Sequence, residues 1–163
     1  PGSGPGYARV AAQGLSGGQM LEAAATGGLS ALVVMGGSLW ADAAGALLDR
    51  AMAALAVLVV IDSRPGPLSR AATVLIPGHA YFEKAGSVTN VEGRVQRIRQ
   101  ALPPTTQTPI ETRILSALAA ELGSPGWPGD PLHVNRELLA AIPAYAAAGN
   151  GGRAVFTPAG VGA

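Results

Sequence analysis

Residues 31–62 read ALVVMGGSLWADAAGALLDRAMAALAVLVVID, and this stretch decides the fold class. It holds two continuous apolar runs, Ala31–Met35 and Val57–Ile61, joined by a segment over Asp42–Ala54 with leucines at helical spacing. Continuous apolarity is typical of strands that are buried on both faces. A strand, a helix and a second strand in this order form a right-handed crossover, so the two strands should run parallel.

The flanking sequence extends the same pattern in both directions. A helix is expected at Gln19–Thr26, before the first strand, and a short helical turn at Pro67–Ala71 leads to a third apolar run at Thr73–Pro77. Three such strands with helical connections predict an α/β fold, an open and mostly parallel sheet with helices on both faces.

After the third strand, residues 79–100 form a polar, glycine-punctuated stretch, for which we expect an irregular excursion with short strands near 87–89 and 95–98. Two C-terminal helices should follow. Thr108 and Glu111 form a candidate capping box at the start of the first, which Gly123 ends. The second is expected over residues 132–142.

The domain organisation predicted from these elements is simple, because 163 residues suit one domain. Residues 19–148 should form the α/β domain, with a Gly-rich lead-in at 1–18 and a flexible tail at 149–163. Since the chain starts with Pro1 and flexible Gly and Ser residues, it is expected to be a fragment of a longer subunit.

The amino-acid composition excludes several classes of function. The net charge is +1 with no basic run, and seven aromatic residues offer few stacking platforms, so nucleic-acid binding is disfavoured. The chain has no cysteine, which excludes disulfides, zinc–thiolate sites and iron–sulfur clusters within it. The longest apolar run, Ala51–Ile61, is too short to span a membrane.

The proportions of apolar and charged residues, 48% and 13%, leave two interpretations open. Either other protein covers part of the surface, or the domain is compact and rich in Ala and Gly.

The strand ends are candidate ligand positions, because ligands bind beyond the carboxyl ends of strands in open parallel sheets. Gly36, Gly37 and Ser38 follow the first strand, and Asp62 and Ser63 follow the second. Glycine lets a backbone approach a ligand, and a carboxylate accepts hydrogen bonds from a ribose or a guanine edge. The same residues also suit a chain that merely turns there. The G-x-G-x-x-G, phosphate-loop and G-x-S-x-G motifs do not follow these strands.

The densest polar stretch runs from residue 83 to residue 96 and favours structural bracing over a direct ligand role. Arg94 is a candidate for a bidentate pair with Glu83 or Glu92, and Asn90 is a turn-forming residue. No activated nucleophile accompanies these carboxylates.

The same stretch carries a family resemblance. Ala71–Pro77, then Glu83, then Gly86–Gln96 resemble the A-D-V-V-L-P and E-x-x-G-T-x-x-N-x-E-G-R-x-Q patterns of the molybdopterin oxidoreductase superfamily. The Asn-x-Glu-Gly-Arg version resembles the C-terminal part of the large iron–sulfur subunit of NADH–quinone oxidoreductase, respiratory complex I. Three positions depart from the usual pattern: Thr73 replaces Asp, Ser38-Leu39 replaces Asn-Pro, and Ser87 replaces Thr.

The resemblance to the complex I branch implies a structural and interaction segment with no catalytic residue and no cofactor of its own. Iron–sulfur clusters are then expected elsewhere in the full subunit. The implied partners are the remainder of its own subunit and other complex I subunits. The implied location is cytoplasmic, peripheral at the inner face of the cell membrane.

Two alternatives stay open. In a molybdopterin enzyme such as formate dehydrogenase, the five strand-end residues would hold molybdopterin guanine dinucleotide through its guanosine or pyrophosphate. In a free-standing α/β adaptor, the chain would have no redox link.

Overall fold

The computed structural model describes residues 14–36, 45–90, 94–125, 127–141 and 154–155. These residues fall into two compact units. The sheet unit comprises residues 14–80 with 105–108, and the hairpin unit comprises residues 81–104 with the described residues from 109 onward. Most of the predicted lead-in and tail lies outside the described residues.

The sheet unit is built around three parallel strands. In chain order its elements are α1 Gly17–Ala25, β1 Ala31–Met35, α2 Gly45–Ala54, β2 Val57–Asp62, α3 Pro67–Ala71 and β3 Val74–Pro77. The strands lie in the order β1-β2-β3, and Val33, Val59 and Val74 stand side by side in register. The predicted α/β class and the parallel pairing are therefore confirmed. The predicted start of the second helix at Asp42 lies outside the described residues.

Helix α1 begins two residues earlier than the sequence pattern predicted, because Ser16 caps it. The Ser16 side chain accepts a hydrogen bond from the backbone of Gln19, and the Gln19 side chain accepts one from the Ser16 amide at 2.8 Å. This reciprocal capping box satisfies two amides that the first turn leaves open. After the helix, Gly27 adopts a positive φ of 79°, a conformation that glycine takes without strain.

The core of the sheet unit lies on one face of the sheet, where three helices and two strands share a single apolar cluster. Residue alternation along the strands places Val34, Leu58 and Val60 on this face. The other buried members come from α1, α2 and α3: Leu21, Ala24, Leu48, Ala51 and Leu68.

The hairpin unit contains the polar excursion and the C-terminal helices that the sequence predicted. It comprises a 3₁₀ turn at Tyr81–Glu83, β4 Gly86–Thr89, β5 Arg94–Ile98, α4 Glu111–Glu121, α5 Pro131–Ala141 and β6 Ala154–Val155. Strands β4 and β5 form an antiparallel pair, and β6 pairs with β5 on its other side.

The capping box predicted at Thr108 and Glu111 is wrong. The N-cap residue of α4 is Ile110, without a side-chain cap bond. The Thr108 hydroxyl instead donates to the Pro77 carbonyl oxygen at 2.6 Å, and the Thr108 carbonyl accepts from His79 Nε2 at 2.9 Å. The Thr108 hydroxyl therefore bonds to a residue at the end of β3 and not to the first turn of the helix, as the local pattern had predicted. The predicted stop at Gly123, with φ of 79°, is confirmed.

Candidate functional site

The carboxyl ends of the three parallel strands stand side by side. The Gly36 amide donates to the Ile61 carbonyl at 3.0 Å, and the Gly78 amide donates to the Asp62 carbonyl at 2.9 Å. We call Gly36, Asp62, Ser63 and Gly78 the strand-end site. The structure thus brings together the predicted candidates Gly36, Asp62 and Ser63, whereas Gly37 and Ser38 lie outside the described residues.

Gly36 is exposed and leaves β1 with φ of 68°. A Cβ atom built on it would meet no atom within 4 Å. Glycine is therefore favoured at position 36 because the backbone is left-handed there, and not because a larger side chain would clash with a neighbour. The space beside its backbone is open on the edge of the sheet where ligands of such folds bind.

Asp62 turns the chain away from β2. Its Oδ1 atom accepts a hydrogen bond from the Arg64 amide at 3.1 Å, the local pattern by which aspartate shapes a turn. The residue is half-buried, and the following Ser63 is exposed. The sequence left two interpretations open here, a turn or a ligand contact, and the Arg64 bond supports the turn.

A partly buried ion pair in the hairpin unit links the polar excursion to α4. Lys84 Nζ lies 2.5 Å from Glu111 Oε1, and the Glu111 side chain is only 8% exposed, against 37% for Lys84. Sequence reasoning missed this pair, because it assigned Glu111 to a helix cap. The two residues are 27 positions apart, and no local pattern connects them.

The other predicted bracing residues are described only in part. Glu83 is buried in the 3₁₀ turn, and Asn90 is half-buried at the end of β4. Glu92 and the side chain of Arg94 lie outside the described residues, and so do the predicted pairs of Arg94 with Glu83 or Glu92.

Two of the positions that depart from the family pattern have structural partners. The Thr73 hydroxyl oxygen accepts a hydrogen bond from the Leu58 amide at 3.0 Å, and the Ser87 hydroxyl donates to Asn135 Oδ1 at 3.0 Å. Leu58 lies near the start of β2, so Thr73 stands at the edge of the sheet opposite to the strand-end site. Replacement of the usual Asp at this position therefore does not bear directly on a ligand at the carboxyl ends.

The described residues limit the chemistry of the candidate site. The strand-end site offers backbone amides, a carboxylate and a hydroxyl, which suit hydrogen bonding to a polar ligand. Nowhere in the described ranges do three or more His, Cys, Asp or Glu side chains come together as metal ligands. None of the helices that the structure describes has the length and apolarity needed to cross a membrane.

The described residues of the sheet unit form an α/β segment whose three-stranded parallel sheet has polar residues at the strand ends. The family model for molybdopterin oxidoreductases matches residues 8–121, more than half of the chain. The chain belongs to the molybdopterin oxidoreductase family, which confirms the resemblance seen in the sequence.

Relatives within the family include proteins of different named activities. The alpha subunit of NADPH-Fe(3+) oxidoreductase from Geobacter sulfurreducens is 31% identical over 82% of this chain, but over only 16% of its own length. A subunit of NADH-quinone oxidoreductase from Streptomyces coelicolor is 39% identical over 63% of this chain and 13% of its own length. The alpha subunit of F420-dependent formate dehydrogenase from Methanocaldococcus jannaschii is 34% identical over 55% of this chain and 13% of its own length.

Among solved structures, acetylene hydratase from Pelobacter acetylenicus has a similar fold. The TM-score is 0.55 at 19% sequence identity, over 64% of this chain and 15% of that one. This likeness concerns the fold alone. In every one of these comparisons, the matched stretch is about a sixth or less of the other protein.

Proposed function

We propose that this chain is a structural and interaction segment of the large iron–sulfur subunit of an NADH–quinone oxidoreductase. It supports electron transfer from NADH to quinone, which iron–sulfur clusters elsewhere in the subunit carry out. No residue of the segment is catalytic, and the segment holds no cofactor. It packs against the rest of its own subunit and against other subunits, peripherally on the cytoplasmic face of the membrane.

The observation that carries this proposal is the ion pair between Lys84 and Glu111. Lys84 lies in the polar stretch 83–96 that carries the family motif, where a polar side chain that served a substrate would face an open site. Instead, the Glu111 carboxylate is buried and Lys84 closes over it at 2.5 Å. The Ser87 bond to Asn135 likewise ties the motif to helix α5. Relatives named as NADH-quinone oxidoreductase subunits, 30% to 39% identical, give the proposal its particular complex.

Elemental analysis of the native complex, purified through an affinity tag on this chain, tests the proposal. Elemental mass spectrometry measures iron, molybdenum and tungsten against the amount of this chain. We expect abundant iron with neither molybdenum nor tungsten. A stoichiometric molybdenum or tungsten signal would overturn the architectural role, because it would indicate a molybdopterin enzyme.

The strand-end site favours a second candidate, a cofactor-binding segment of a molybdopterin enzyme such as formate dehydrogenase. The described residues fit part of such a group. The open backbone at Gly36 suits close approach of a pyrophosphate, and the Asp62 carboxylate and the Ser63 hydroxyl suit hydrogen bonds to guanosine. Molybdopterin guanine dinucleotide supplies the metal chemistry of such enzymes when bound. On this candidate, replacement Asp62→Ala lowers the molybdenum content of the purified complex, and unchanged content removes the candidate.

A further inference from the structure

The face of the parallel sheet opposite to the core carries no polar side chain among the described strand residues. Residues in register on neighbouring parallel strands point to the same side, so alternation assigns each strand residue to one face. All strand positions on this second face are Ala, Val, Met or Ile. We define the open face by its four large exposed members, Val33 and Met35 of β1, Val57 of β2 and Val74 of β3; the small Ala31 on the same face is exposed as well.

The side chains of the open face remain in contact with water. Val33, Met35, Val57 and Val74 are 44%, 54%, 40% and 46% exposed. Along the central strand the exposure falls from Val57 to Ile61, which is only 1% exposed. The open region therefore extends along β1 and over the amino-terminal ends of β2 and β3.

Such a surface needs a covering layer. Strands of parallel sheets are apolar on both sides because helices normally pack against both of their faces. Large exposed apolar patches on folded proteins mark surfaces that contact other protein, a membrane or a ligand. The three described helices of the sheet unit, α1, α2 and α3, all contribute to the core on the other face.

The occupant that best fits is a helix from the longer polypeptide. The stretch matched in this chain makes up only 16% of the Geobacter relative and 13% of the Streptomyces relative. Most of each relative's polypeptide therefore lies outside the match, and the longer subunit proposed above would supply a segment to cover the face. A second copy of this chain would bring the same open face, on which none of the described helices of the sheet unit packs.

We infer that the open face binds an amphipathic helix supplied by the remainder of the same subunit, with an aliphatic, uncharged stripe against β1 and β2. The stripe is uncharged because the strand residues of this face offer no group that could pair with a buried charge. The element is a helix because a helix satisfies its own backbone and so covers a sheet face without unpaired amides. This inference deepens the interaction role proposed above and rests on it.

Thiol labelling tests the inference cleanly, because the chain contains no cysteine of its own. Met35→Cys places a thiol on the open face, and Asp49→Cys places a control thiol at an exposed position of α2. Each variant is labelled with a maleimide, both as the isolated chain and in the native complex purified through this chain. Mass spectrometry of the cysteine peptide gives the labelling rate.

We expect Met35→Cys to be labelled about tenfold or more slowly in the complex than in the isolated chain, because burial blocks access to the thiol. The rate for Asp49→Cys should stay the same. Equal rates for Met35→Cys in both samples would overturn the inference, as would equal slowing of the two variants. A photo-crosslinker at position 35 then identifies the occupant. Peptides from another segment of the subunit support the inference, whereas a second copy of this chain refutes it.

The two tests separate the inference from the proposed function. Protection of Met35→Cys in a complex that holds stoichiometric molybdenum would remove the architectural role and keep the docking surface. An unprotected thiol in a complex without molybdenum or tungsten would remove the docking surface and keep the architectural role.

Discussion

Lys84 Nζ and Glu111 Oε1 lie 2.5 Å apart, although 27 positions of sequence separate the two residues. The contact joins the segment before β4 to the first turn of α4. Because Glu111 is nearly buried, its carboxylate depends on a nearby cation more than an exposed carboxylate would. The pair therefore fixes where the excursion lies against the helix within the hairpin unit.

Replacement Lys84→Met should destabilise the chain by about 1–2 kcal/mol, because it removes the cation beside a buried carboxylate. The expected cost is below that of a fully buried pair, since Lys84 is 37% exposed and solvent screens the charge. Urea unfolding followed by circular dichroism measures it. The matched control is Glu137→Gln, which removes the exposed His133–Glu137 pair and should change stability by less than about 0.5 kcal/mol. Equal effects of both changes would contradict the bracing role.

Strands β1 to β5 were predictable to within one residue from the sequence, whereas β6, in the stretch predicted to be a flexible tail, and the contacts that hold the excursion were not. The strand residues 31–35 and the turn at 67–71 follow from apolar runs bounded by Gly and Pro, which are local signals. The partner of Glu111 depends on how distant segments meet, and no local period encodes that. Thr108 shows the same limit, because its hydroxyl donates a hydrogen bond to the Pro77 carbonyl oxygen and does not cap helix α4.

The strand-end site was also predictable only in part: the sequence placed its residues together but did not give the role of Asp62. The strand ends of a parallel sheet meet at one edge by topology, so the sequence pattern alone places Gly36 and Asp62 together. Sequence alone did not separate a turn from a ligand contact at Asp62. That distinction depends on the 3.1 Å bond from the Arg64 amide, a local geometry that several sequences share.

Replacement Thr73→Val should cost about 0.5–1.5 kcal/mol, because it removes the acceptor of the Leu58 amide. Thr73→Ser and Thr73→Asp both keep an oxygen acceptor, so both should retain most of the stability. Thermal unfolding of the three variants provides the measurement. If Thr73→Asp introduced cofactor binding in the purified complex, the placement of this residue away from the strand-end site would be refuted.

Replacement Gly36→Ala should destabilise the chain by about 1–2 kcal/mol, since alanine resists the left-handed conformation that glycine adopts here. The control Gly18→Ala lies within helix α1, where a Cβ also meets nothing within 4 Å and φ is not positive. It should stabilise the chain by about 0.5–1 kcal/mol. Opposite signs for the two variants in urea unfolding would support the backbone role of Gly36, and equal signs would argue against it.

Two leucines on neighbouring strands, Leu58 and Leu75, test the assignment of the sheet faces. Both lie on the core side by register, but Leu58 in the central strand is 2% exposed, whereas Leu75 in β3 is 51% exposed. Leu58→Ala should cost about 2–5 kcal/mol, since it removes buried methyl groups and leaves a cavity among the helices.

Leu75→Ala removes the same atoms from a site already half in water, so it should cost about 1 kcal/mol or less. Urea unfolding of both variants, with equal slopes required for the comparison, measures the difference. A Leu75→Ala variant as unstable as Leu58→Ala would show that the exposed side of β3 is buried in solution. The core would then extend beyond the cluster formed by α1, α2 and α3.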